Sequence, residues 1–448
     1  MVAGLQSKGQ ADTTPSPSSS SSWTVYHANP LGSGNSMTLK AIDTSKRFWA
    51  SAALDGQLYG EPLVLSKDVY VATESDTVYA LSSLTGRVIW SKRLARAVPS
   101  SLLPCGNIAP LVGITGTPVI DPSRDEIFVV ADELVRGGPV HKLVGLDATT
   151  GAIELSQDVD PPGSNPAALL QRTGLNLDDG RVVFAMGGNY GDCASYRGRV
   201  VSVAETGSKP IYFTVDAHSG DSQGAIWMGG AAPVVDVHGD IWVSVGNGSV
   251  HSSGQSYDDS DSVLELSPAL HLVQYFAPST WPDNNAKDLD LSMAPVLLSD
   301  GQVVVTGKSR IVYLLNGVHL GGIGREEASV GSACNQDIDG ASAFVGTIIY
   351  LPCLSGTVAI RAGASPPSLK IMWRSANGGG PPIVAAGLVW TIGSDGVLYG
   401  LSPATGVVRQ HASVGTSTNH FPTPSVGNGL LLVPTDNRVI AFRGTPVG

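Results

Sequence analysis

The feature that most constrains this chain is a short apolar strand pattern that recurs eight times along it. The recurring segments are residues 78–81, 143–146, 200–203, 263–266, 312–315, 357–360, 398–401 and 439–442. Their spacing of roughly 40 to 65 residues is the period of a four-stranded propeller blade with loops of varying length. The pattern predicts an all-β fold, an eight-bladed β-propeller of four-stranded antiparallel blades.

Proline marks the start of most predicted blades and indicates which strand lies innermost. Six units open next to such a residue: Pro62, Pro118, Pro233, Pro295, Pro382 and Pro424. Because proline cannot donate a ladder hydrogen bond, it belongs at a strand start or a free edge, and in a propeller the free edge faces the axial channel. Near-continuous apolar second strands, such as residues 182–185 and 303–305, indicate burial on both faces between stacked blades.

The eighth unit ends too early to build a fourth strand of its own, since only residues 443–448 follow Phe442. Residues 46–51 contain Trp49 and match the outer strands around Trp90 and Trp373. We therefore expect this N-terminal strand to pair into the last blade and close the ring. Closure removes the free sheet edges that favour association of chains, and we expect a monomer.

Composition excludes several classes of function. The 448 residues exceed the length at which one hydrophobic core usually keeps growing, which favours a repeat array. A formal charge of −11 would repel a phosphate backbone, and no lysine or arginine cluster occurs, so nucleic acid is excluded as a partner. No apolar run approaches the roughly 18 to 20 residues that span a bilayer, and no transmembrane segment is predicted.

The N-terminal region differs in composition from the rest of the chain. Residues 1–22 end in a Ser/Thr/Pro tract and are predicted to be a disordered Ser/Pro-rich linker, with the propeller occupying residues 23–448. Such a tether usually joins an export signal or a lipid anchor to a folded domain, so we expect an extracytoplasmic protein of bacterial type with an export segment or a lipid anchor upstream. A cytoplasmic protein with an irregular terminus is the alternative.

One segment of the first unit resembles a known family motif. Residues 80–90 read ALSSLTGRVIW and resemble the tryptophan-docking motif of quinoprotein-type propellers, A-x-D-x-x-T-G-K-x-x-W, with Ser82 in place of Asp and Arg87 in place of Lys. Together with residues 54–63 and 23–27, the repeats resemble the exported PQQ-like β-propeller proteins. The motif implies a fold, because its tryptophan packs between neighbouring blades, and it does not imply a bound quinone.

The same resemblance bears on the cofactor. PQQ-dependent alcohol dehydrogenases of this group carry PQQ with Ca²⁺ against a disulfide of adjacent cysteines, and many carry a haem attachment sequence. The four cysteines of this chain are isolated from one another and no C-x-x-C-H occurs. The sequence therefore leaves the cofactor unknown, and catalytic residues are not carried over from the family by position.

Four cysteines allow three disulfide pairings. In the predicted propeller, Cys105 lies in the loop entering unit two and Cys193 in a loop of unit three, whereas Cys334 and Cys353 flank the first hairpin of unit six. We predict the pairs Cys105–Cys193 and Cys334–Cys353, each stabilising by roughly 2 to 4 kcal/mol. Reduced, buried thiols are the alternative in a cytoplasmic protein.

Acidic pairs precede two of the innermost strands, at Asp288 and Asp290 and at Asp337 and Asp339. Their carboxylates should crowd the mouth of the channel. Alternating carboxylates supply hard oxygen ligands for Ca²⁺ or Mg²⁺, which makes Asp337 and Asp339 candidate metal ligands. Turn chemistry is the alternative, because aspartate side chains readily bond to the backbone two residues on.

Further polar residues from several units should meet at the same mouth and form a small-molecule site. The candidate ligand-binding residues are Asn107, Thr115, Asn189, Asp192, Trp227, Asp288 and Asp337. The catalytic candidates are Asp290 or Asp339 as general base, Lys308 to stabilise negative charge, and His420. A structural ion pair is the alternative role for Lys308.

Two functions remain open at this point. The first is an exported propeller that binds a small polar ligand in its axial funnel, with oxidoreductase or other enzymatic activity carried by the Asp/Lys/His set. The second is a non-catalytic scaffold at the cell envelope that presents loops to protein partners. An apolar patch of several hundred Å² on one rim would favour the scaffold, and a polar funnel would favour the binder.

Overall fold

A computed structural model describes residues 22–215, 221–416 and 421–447 of the chain. Eight small antiparallel sheets form a ring around one axis, which confirms the predicted eight-bladed propeller. The described chain contains a single α-helix, Trp281–Lys287, and four 3₁₀ turns at Tyr26–Ala28, Ser100–Leu102, Pro166–Ala168 and Met228–Gly230. No helix in the described part of the chain is long and apolar enough to cross a membrane.

Blades 1 to 4 follow one another along the chain, and each runs from the innermost strand outward. Blade 1 contains Leu63–Leu65, Asp68–Thr73, Thr77–Ser82 and Val88–Arg93. Blade 2 contains Val119–Asp121, Glu126–Val135, Gly138–Asp147 and Ile153–Asp158. Blade 3 contains Asn176–Asp178, Arg181–Gly188, Arg199–Ala204 and Ile211–Thr214, with Leu169–Leu170 added to its second strand. Blade 4 contains Val234–Val235, Ile241–Val245, Ser262–Leu266 and Leu272–Ala277, with Gly322–Ile323 added in parallel.

Blades 5 to 8 complete the ring. Blade 5 contains Val296–Leu297, Gln302–Val305, Val312–Asn316 and Ala328–Val330. Blade 6 contains Ala343–Val345, Ile348–Cys353, Gly356–Ala364 and Pro367–Ser375. Blade 7 contains Ile383–Ala385, Leu388–Ile392, Val397–Leu401 and Val408–Ser413, and Asn35–Ser36 pairs with its inner edge. Blade 8 contains Ser425–Gly427, Leu430–Pro434 and Val439–Pro446. A separate two-stranded sheet joins Val98–Pro99 to Leu111–Val112.

The N-terminal region closes the ring, as predicted, but with two segments instead of one strand. Trp49 and Ala50 pair with Ala441 and Ile440, within the predicted residues 46–51. Leu39–Asp43 pairs with the end of the same strand and supplies most of the outer edge of blade 8. This second segment was missed because LKAID shows the helix-like spacing of Leu39 and Ile42 as clearly as strand alternation.

Alternation along the second strand of each blade builds the core. In blade 3, Val183 and Ala185 pack into the cluster shared with blade 4, whereas Val182, Phe184 and Met186 pack into the cluster shared with blade 2. All five side chains are fully buried. Period-two alternation thus places successive side chains in two different inter-blade cores, as the near-continuous apolar pattern predicted.

The docking tryptophans connect neighbouring blades. The indole Nε1 of Trp49 donates to the Ser83 carbonyl at 2.7 Å, and that of Trp90 donates to the Ala148 carbonyl at 3.0 Å. Each indole covers a glycine of the next blade that has positive φ, Gly86 or Gly151, where a Cβ would overlap the ring. The Thr-Gly pair therefore requires glycine for two reasons: its backbone has positive φ, and the indole occupies the space where a Cβ would lie.

An irregular N-terminal segment, residues 23–36, runs through the channel along the innermost strands. Its backbone carbonyls accept hydrogen bonds from Ile120 of blade 2, Val235 of blade 4, Phe344 of blade 6 and Val384 of blade 7. The contacts fall within or after the innermost strands, so this segment, the channel plug, fills the channel on one side. The residues that precede the innermost strands are left to form an open funnel on the other side.

Candidate functional site

A largely apolar cavity of about 150 Å³ that also contains charged side chains lies in the funnel. Four predicted residues, Asn107, Trp227, Lys308 and Asp339, line it together. Seven residues that were not predicted complete the wall: Leu170, Arg172, Gly188, Tyr190, Gly229, Ser292 and Phe421. They come from segments that precede the innermost strands of blades 2 to 6 and 8, or that join second and third strands, so the fold converges on the cavity from most of the ring.

Lys308 is the centre of one wall of the cavity. Its Nζ lies 2.5 Å from Asp290 Oδ2 and 2.9 Å from Asp288 Oδ1. The same nitrogen lies 5.9 Å from the centre of the Trp227 ring, a cation–π distance. The backbone brings this about, because Lys308 N donates to the Asp290 carbonyl and a Cβ at Gly307 would overlap that oxygen. The arrangement is the ion pair considered for this lysine in the sequence.

Electrostatics keep this wall charged. Burial alone would lower the pKa of Lys308, but the Asp290 carboxylate raises it above its usual range. Burial raises the pKa of Asp290, and Lys308 acts against that rise. Asp290 also accepts a hydrogen bond from Asn247 N at 2.6 Å, so both of its oxygens are engaged by protein groups. Its lone pairs are therefore poorly placed to take a proton from a ligand.

Asp339 stands closer to the cavity and differs from Asp290. It lines the cavity itself and is partly exposed. Burial raises its pKa, while a hydrogen bond from Ser292 and the charge of Lys308 act in the opposite direction. A carboxyl group with a raised pKa in a concave site is suited to general acid–base chemistry or to a hydrogen bond with a ligand hydroxyl.

Arg172 also lines the cavity and was not predicted from the sequence. Only 6% of the residue is exposed, and its Nη2 has no hydrogen-bond partner among the described residues. Its guanidinium carbon lies 4.5 Å from the Phe421 ring centre and 5.6 Å from that of Tyr59. Cation–π contacts contribute roughly 0.5 to 2 kcal/mol, less than the several kcal/mol that burying an ion costs. Burial accordingly lowers the pKa of Arg172.

Glu74, the carboxyl group whose charge acts on Arg172, does not pair with it, and the charge of Glu74 also acts on Asp76. Glu74 Oε2 accepts hydrogen bonds from Gly113 N at 2.7 Å and Thr115 Oγ1 at 3.1 Å. Burial raises the pKa of Glu74 to about 7 and, with the charge of Asp132, that of Asp76 to about 9. Glu74 therefore carries its proton below about pH 7 and Asp76 below about pH 9, and at the lower pH the guanidinium is the less compensated of the two cations in the cavity.

The other predicted site residues lie outside the cavity wall. Thr115 binds Glu74, and Asn189 Nδ2 donates to the Ala167 carbonyl at 2.9 Å. Asp192 accepts from the Tyr196 hydroxyl at 2.6 Å, and Asp288 binds Lys308 and Asn247 from the exposed side. Asp337 is partly exposed, and its carbonyl accepts from Leu354 N. These residues shape the loops of the funnel, and His420 lies outside the described residues.

The predicted metal ligands do not form a cluster. In the described part of the chain, one group of three carboxylates has its oxygens within 4.8 Å of one another, Asp236, Asp240 and Glu265 of blade 4. Asp337 and Asp339 do not belong to it. Asp236 already accepts hydrogen bonds from His238 N, Asp240 N and the Trp242 indole, which is turn chemistry of the kind considered as the alternative.

Both predicted disulfides are present. Cys334–Cys353 joins the segment before blade 6 to the second strand of that blade, with a Cα–Cα distance of 5.7 Å. Cys105–Cys193 has a Cα–Cα distance of 6.0 Å and links two loops at the funnel mouth. Asn107 follows Cys105 and Tyr190 precedes Cys193, so this disulfide ties together two segments that line the cavity.

Comparison with known proteins gives the following likenesses. The family model described as Outer membrane protein assembly factor BamB matches residues 20–243. A polyvinylalcohol dehydrogenase from a Pseudomonas species is 24% identical over 302 residues, which cover 58% of this chain and 43% of that protein. The chain thus spans less than half the length of this curated relative.

Two solved structures share the architecture. Quinohemoprotein alcohol dehydrogenase ADHIIG from Pseudomonas putida HK5 is 13% identical, with a TM-score of 0.71 over 96% of this chain and 81% of that one. BamB from Moraxella catarrhalis is 17% identical, with a TM-score of 0.54 over 89% of this chain and 97% of that one. At these identities the likeness shows the fold alone.

Proposed function

Because the chain belongs to the PQQ-like β-propellers, in the family described as Outer membrane protein assembly factor BamB, we propose that its axial funnel binds a small polar organic molecule. The observation that carries the proposal is the convergence of Asn107, Lys308 and Asp339 with the Trp227 ring on one half-open cavity. An apolar and aromatic surface with a few fixed polar groups is the usual composition of a small-molecule site.

Asp339 and Lys308 have different roles in this proposal. Asp339 accepts a hydrogen bond from a ligand hydroxyl and holds or takes its proton, since its pKa is raised by burial. Lys308 stays protonated through Asp290 and stabilises a negative oxygen on the ligand. Asp290 acts through Lys308 and is a positioning residue. An enzymatic activity of the site would be proton transfer at a hydroxyl-bearing carbon.

The names of the dehydrogenase relatives raise the question of a quinone. A cavity of about 150 Å³ has the size of an engineered cavity that holds benzene, whereas pockets for drug-sized ligands begin near roughly 300 Å³. PQQ is tricyclic and carries three carboxylates, so it is larger than this half-open cavity. Asp337 and Asp339 also do not belong to the one group of three close carboxylates in the described residues. We derive no step through either group.

A scaffold at the cell envelope is the second candidate. The description of the matching family model favours it, and Tyr190 and Leu102, which are 67% and 55% exposed, lie on loops near the Cys105–Cys193 disulfide. Co-purification of envelope proteins that is lost in Leu102→Ser, with unchanged small-molecule binding, would support the scaffold. If the variant kept both the co-purifying proteins and small-molecule binding, the scaffold hypothesis would be contradicted.

We place the protein outside the cytoplasm in this proposal. Two disulfides and no free cysteine are typical of oxidising compartments. Alkylation of the protein in intact cells of its host tests this directly. Complete protection of all four cysteines from alkylation supports the assignment, and four reactive thiols would contradict it.

Ligand binding is tested by saturation-transfer NMR with a mixture of lactate, propane-1,2-diol and glycerol. We expect transfer to at least one probe with the wild-type protein and its loss in Asp339→Asn and Lys308→Met. Lys287→Met serves as the matched control, because Lys287 pairs with exposed Asp283 on the surface helix. Absence of transfer to every probe, or equal transfer in the variants, would contradict the proposed function.

A further inference from the structure

We propose that Arg172 is the carboxylate-binding group of the funnel, and that the ligand is a small hydroxy- or oxo-carboxylate. This inference rests on the proposed function, which makes the funnel a binding site, and it names the chemical class of the ligand. Arg172 lines the same cavity as Lys308 and Asp339, and its Nη2 is buried without a hydrogen-bond partner among the described residues.

The two cations of the cavity are not equivalent. Lys308 is bound by Asp288 and Asp290, so its charge is already compensated by the protein. Arg172 has aromatic rings on two sides, Tyr59 and Phe421, and its Nη2 finds no acceptor in the described chain. An anion that enters the cavity therefore gains more from Arg172 than from Lys308.

The geometry of the guanidinium selects the type of anion. Its planar fork of N–H donors matches the two oxygens of a carboxylate, and such a pair is stronger than a neutral hydrogen bond. Glu74, the carboxyl group whose charge acts on Arg172, is held by Gly113 and Thr115 instead. A carboxylate supplied by the ligand is the partner that the residue lacks.

Cavity size and the remaining polar groups limit the rest of the molecule. About 150 Å³ holds roughly six heavy atoms, as a benzene-binding cavity of that volume does. Asp339 and Lys308 offer a hydrogen-bond acceptor and a cation to a second polar group on the ligand. A carboxylate with one neighbouring hydroxyl or carbonyl group satisfies both walls with that number of atoms.

Isothermal titration calorimetry with three probes of nearly equal size separates the contributions. Lactate carries the carboxylate and the hydroxyl, lactamide replaces the carboxylate with a neutral amide, and propane-1,2-diol removes it. We expect the wild-type protein to bind lactate at least tenfold more tightly than lactamide. Arg172→Gln should abolish this preference, and Arg172→Lys should keep the preference with weaker binding of lactate.

Arg310→Gln is the matched control, because Arg310 is an exposed arginine that donates to the Asn335 carbonyl away from the cavity. It should bind the probes as the wild type does. Equal affinities of wild type for lactate and lactamide would overturn the inference while leaving the proposed function intact, and so would an undiminished preference in Arg172→Gln. Failure of all three probes to bind would overturn both. If Arg172→Gln does not fold, the wild-type ratio and Arg172→Lys decide.

Discussion

The two walls of the funnel carry one cation each and treat it in opposite ways. Lys308 forms ion pairs with Asp288 and Asp290, which compensate its charge. Arg172 is buried against Phe421 and Tyr59 with an Nη2 that has no partner among the described residues. The first arrangement is self-sufficient and holds a loop in place. The second leaves a buried donor unpaired among the described residues, and on this difference we base the proposal that an anion binds there.

The largest expected effect contrasts the two walls in stability. Lys308→Met leaves the buried Asp290 carboxylate without its partner and should lower the free energy of unfolding by about 3 to 5 kcal/mol at neutral pH. Arg172→Gln removes a charge that the protein does not compensate and should cost less than about 1 kcal/mol, or even stabilise. Urea unfolding measures both. A larger loss of unfolding free energy in Arg172→Gln than in Lys308→Met would contradict the difference between the two cations.

Removal of the funnel disulfide should have the next largest effect. Cys105 and Cys193 are separated by 88 residues and Cys334 and Cys353 by 19, so a chain-entropy model predicts a greater loss for the first pair, about 4.6 kcal/mol against about 3.2. Thermal unfolding of the two double serine variants tests this. Only the variant lacking Cys105 and Cys193 should also bind lactate more weakly, because that disulfide fixes the loops of Asn107 and Tyr190. Equal lactate binding by both variants would contradict this.

Lactate binding at Arg172 should depend on pH. Burial raises the pKa of Glu74 to about 7, so Glu74 is protonated below that pH and ionised above it. Its negative charge then competes with a ligand carboxylate for Arg172, and lactate affinity should fall as the pH rises through about 7. Calorimetry from pH 6 to 8.5 should show at least a severalfold decrease in the wild type and none in Glu74→Gln. The same decrease in the variant would exclude Glu74 as its cause.

Stability should change with pH in the same direction. The pKa of Asp76 rises from its usual value to about 9 on folding, so the folded state binds this proton more tightly than the unfolded chain. That contribution is present at low pH and is lost as the pH rises through about 9. Asp76→Asn should therefore flatten the fall in unfolding free energy between pH 6 and 9, measured with urea. A variant as pH-dependent as the wild type would contradict this.

The smallest expected effect concerns the aromatic ring over Arg172. Phe421→Leu keeps apolar volume but removes the cation–π contact at 4.5 Å, and should lower stability by roughly 0.5 to 2 kcal/mol. Trp227→Phe keeps a ring beside Lys308 and loses the indole bond to the Gly188 carbonyl. Only the Phe421 variant should bind lactate more weakly through Arg172. An effect confined to the Trp227 variant would place the anion on the Lys308 wall.

Sequence reasoning recovered what depends on periodicity. The blades, their order and the docking of Trp49 and Trp90 follow from a repeat in which each blade needs the next to bury its face. The disulfide pairs followed because the repeat fixes which loops share one end of the ring. Asn107, Lys308 and Asp339 were placed near one another for the same reason.

The features that were not predicted are not marked by any repeating sequence pattern. The channel plug has neither a strand nor a helix pattern. Its backbone carbonyls accept hydrogen bonds from backbone N–H groups of the innermost strands. Arg172 is a single basic residue between Gln171 and Thr173 before a strand, and nothing local indicates that it lacks a counter-ion. Thr115 and Asn189 were predicted on the right loops, but each side chain is used up by a nearby backbone or carboxyl group.

A crystal structure of the protein soaked in lactate tests the central claim most directly. We expect density for lactate in the funnel cavity, with a carboxylate oxygen at about 2.7 to 3.2 Å from a guanidinium nitrogen of Arg172 and the hydroxyl directed at Asp339. A guanidinium already paired with a carboxylate of the protein, or a cavity without lactate at a concentration that saturates binding in solution, would contradict it.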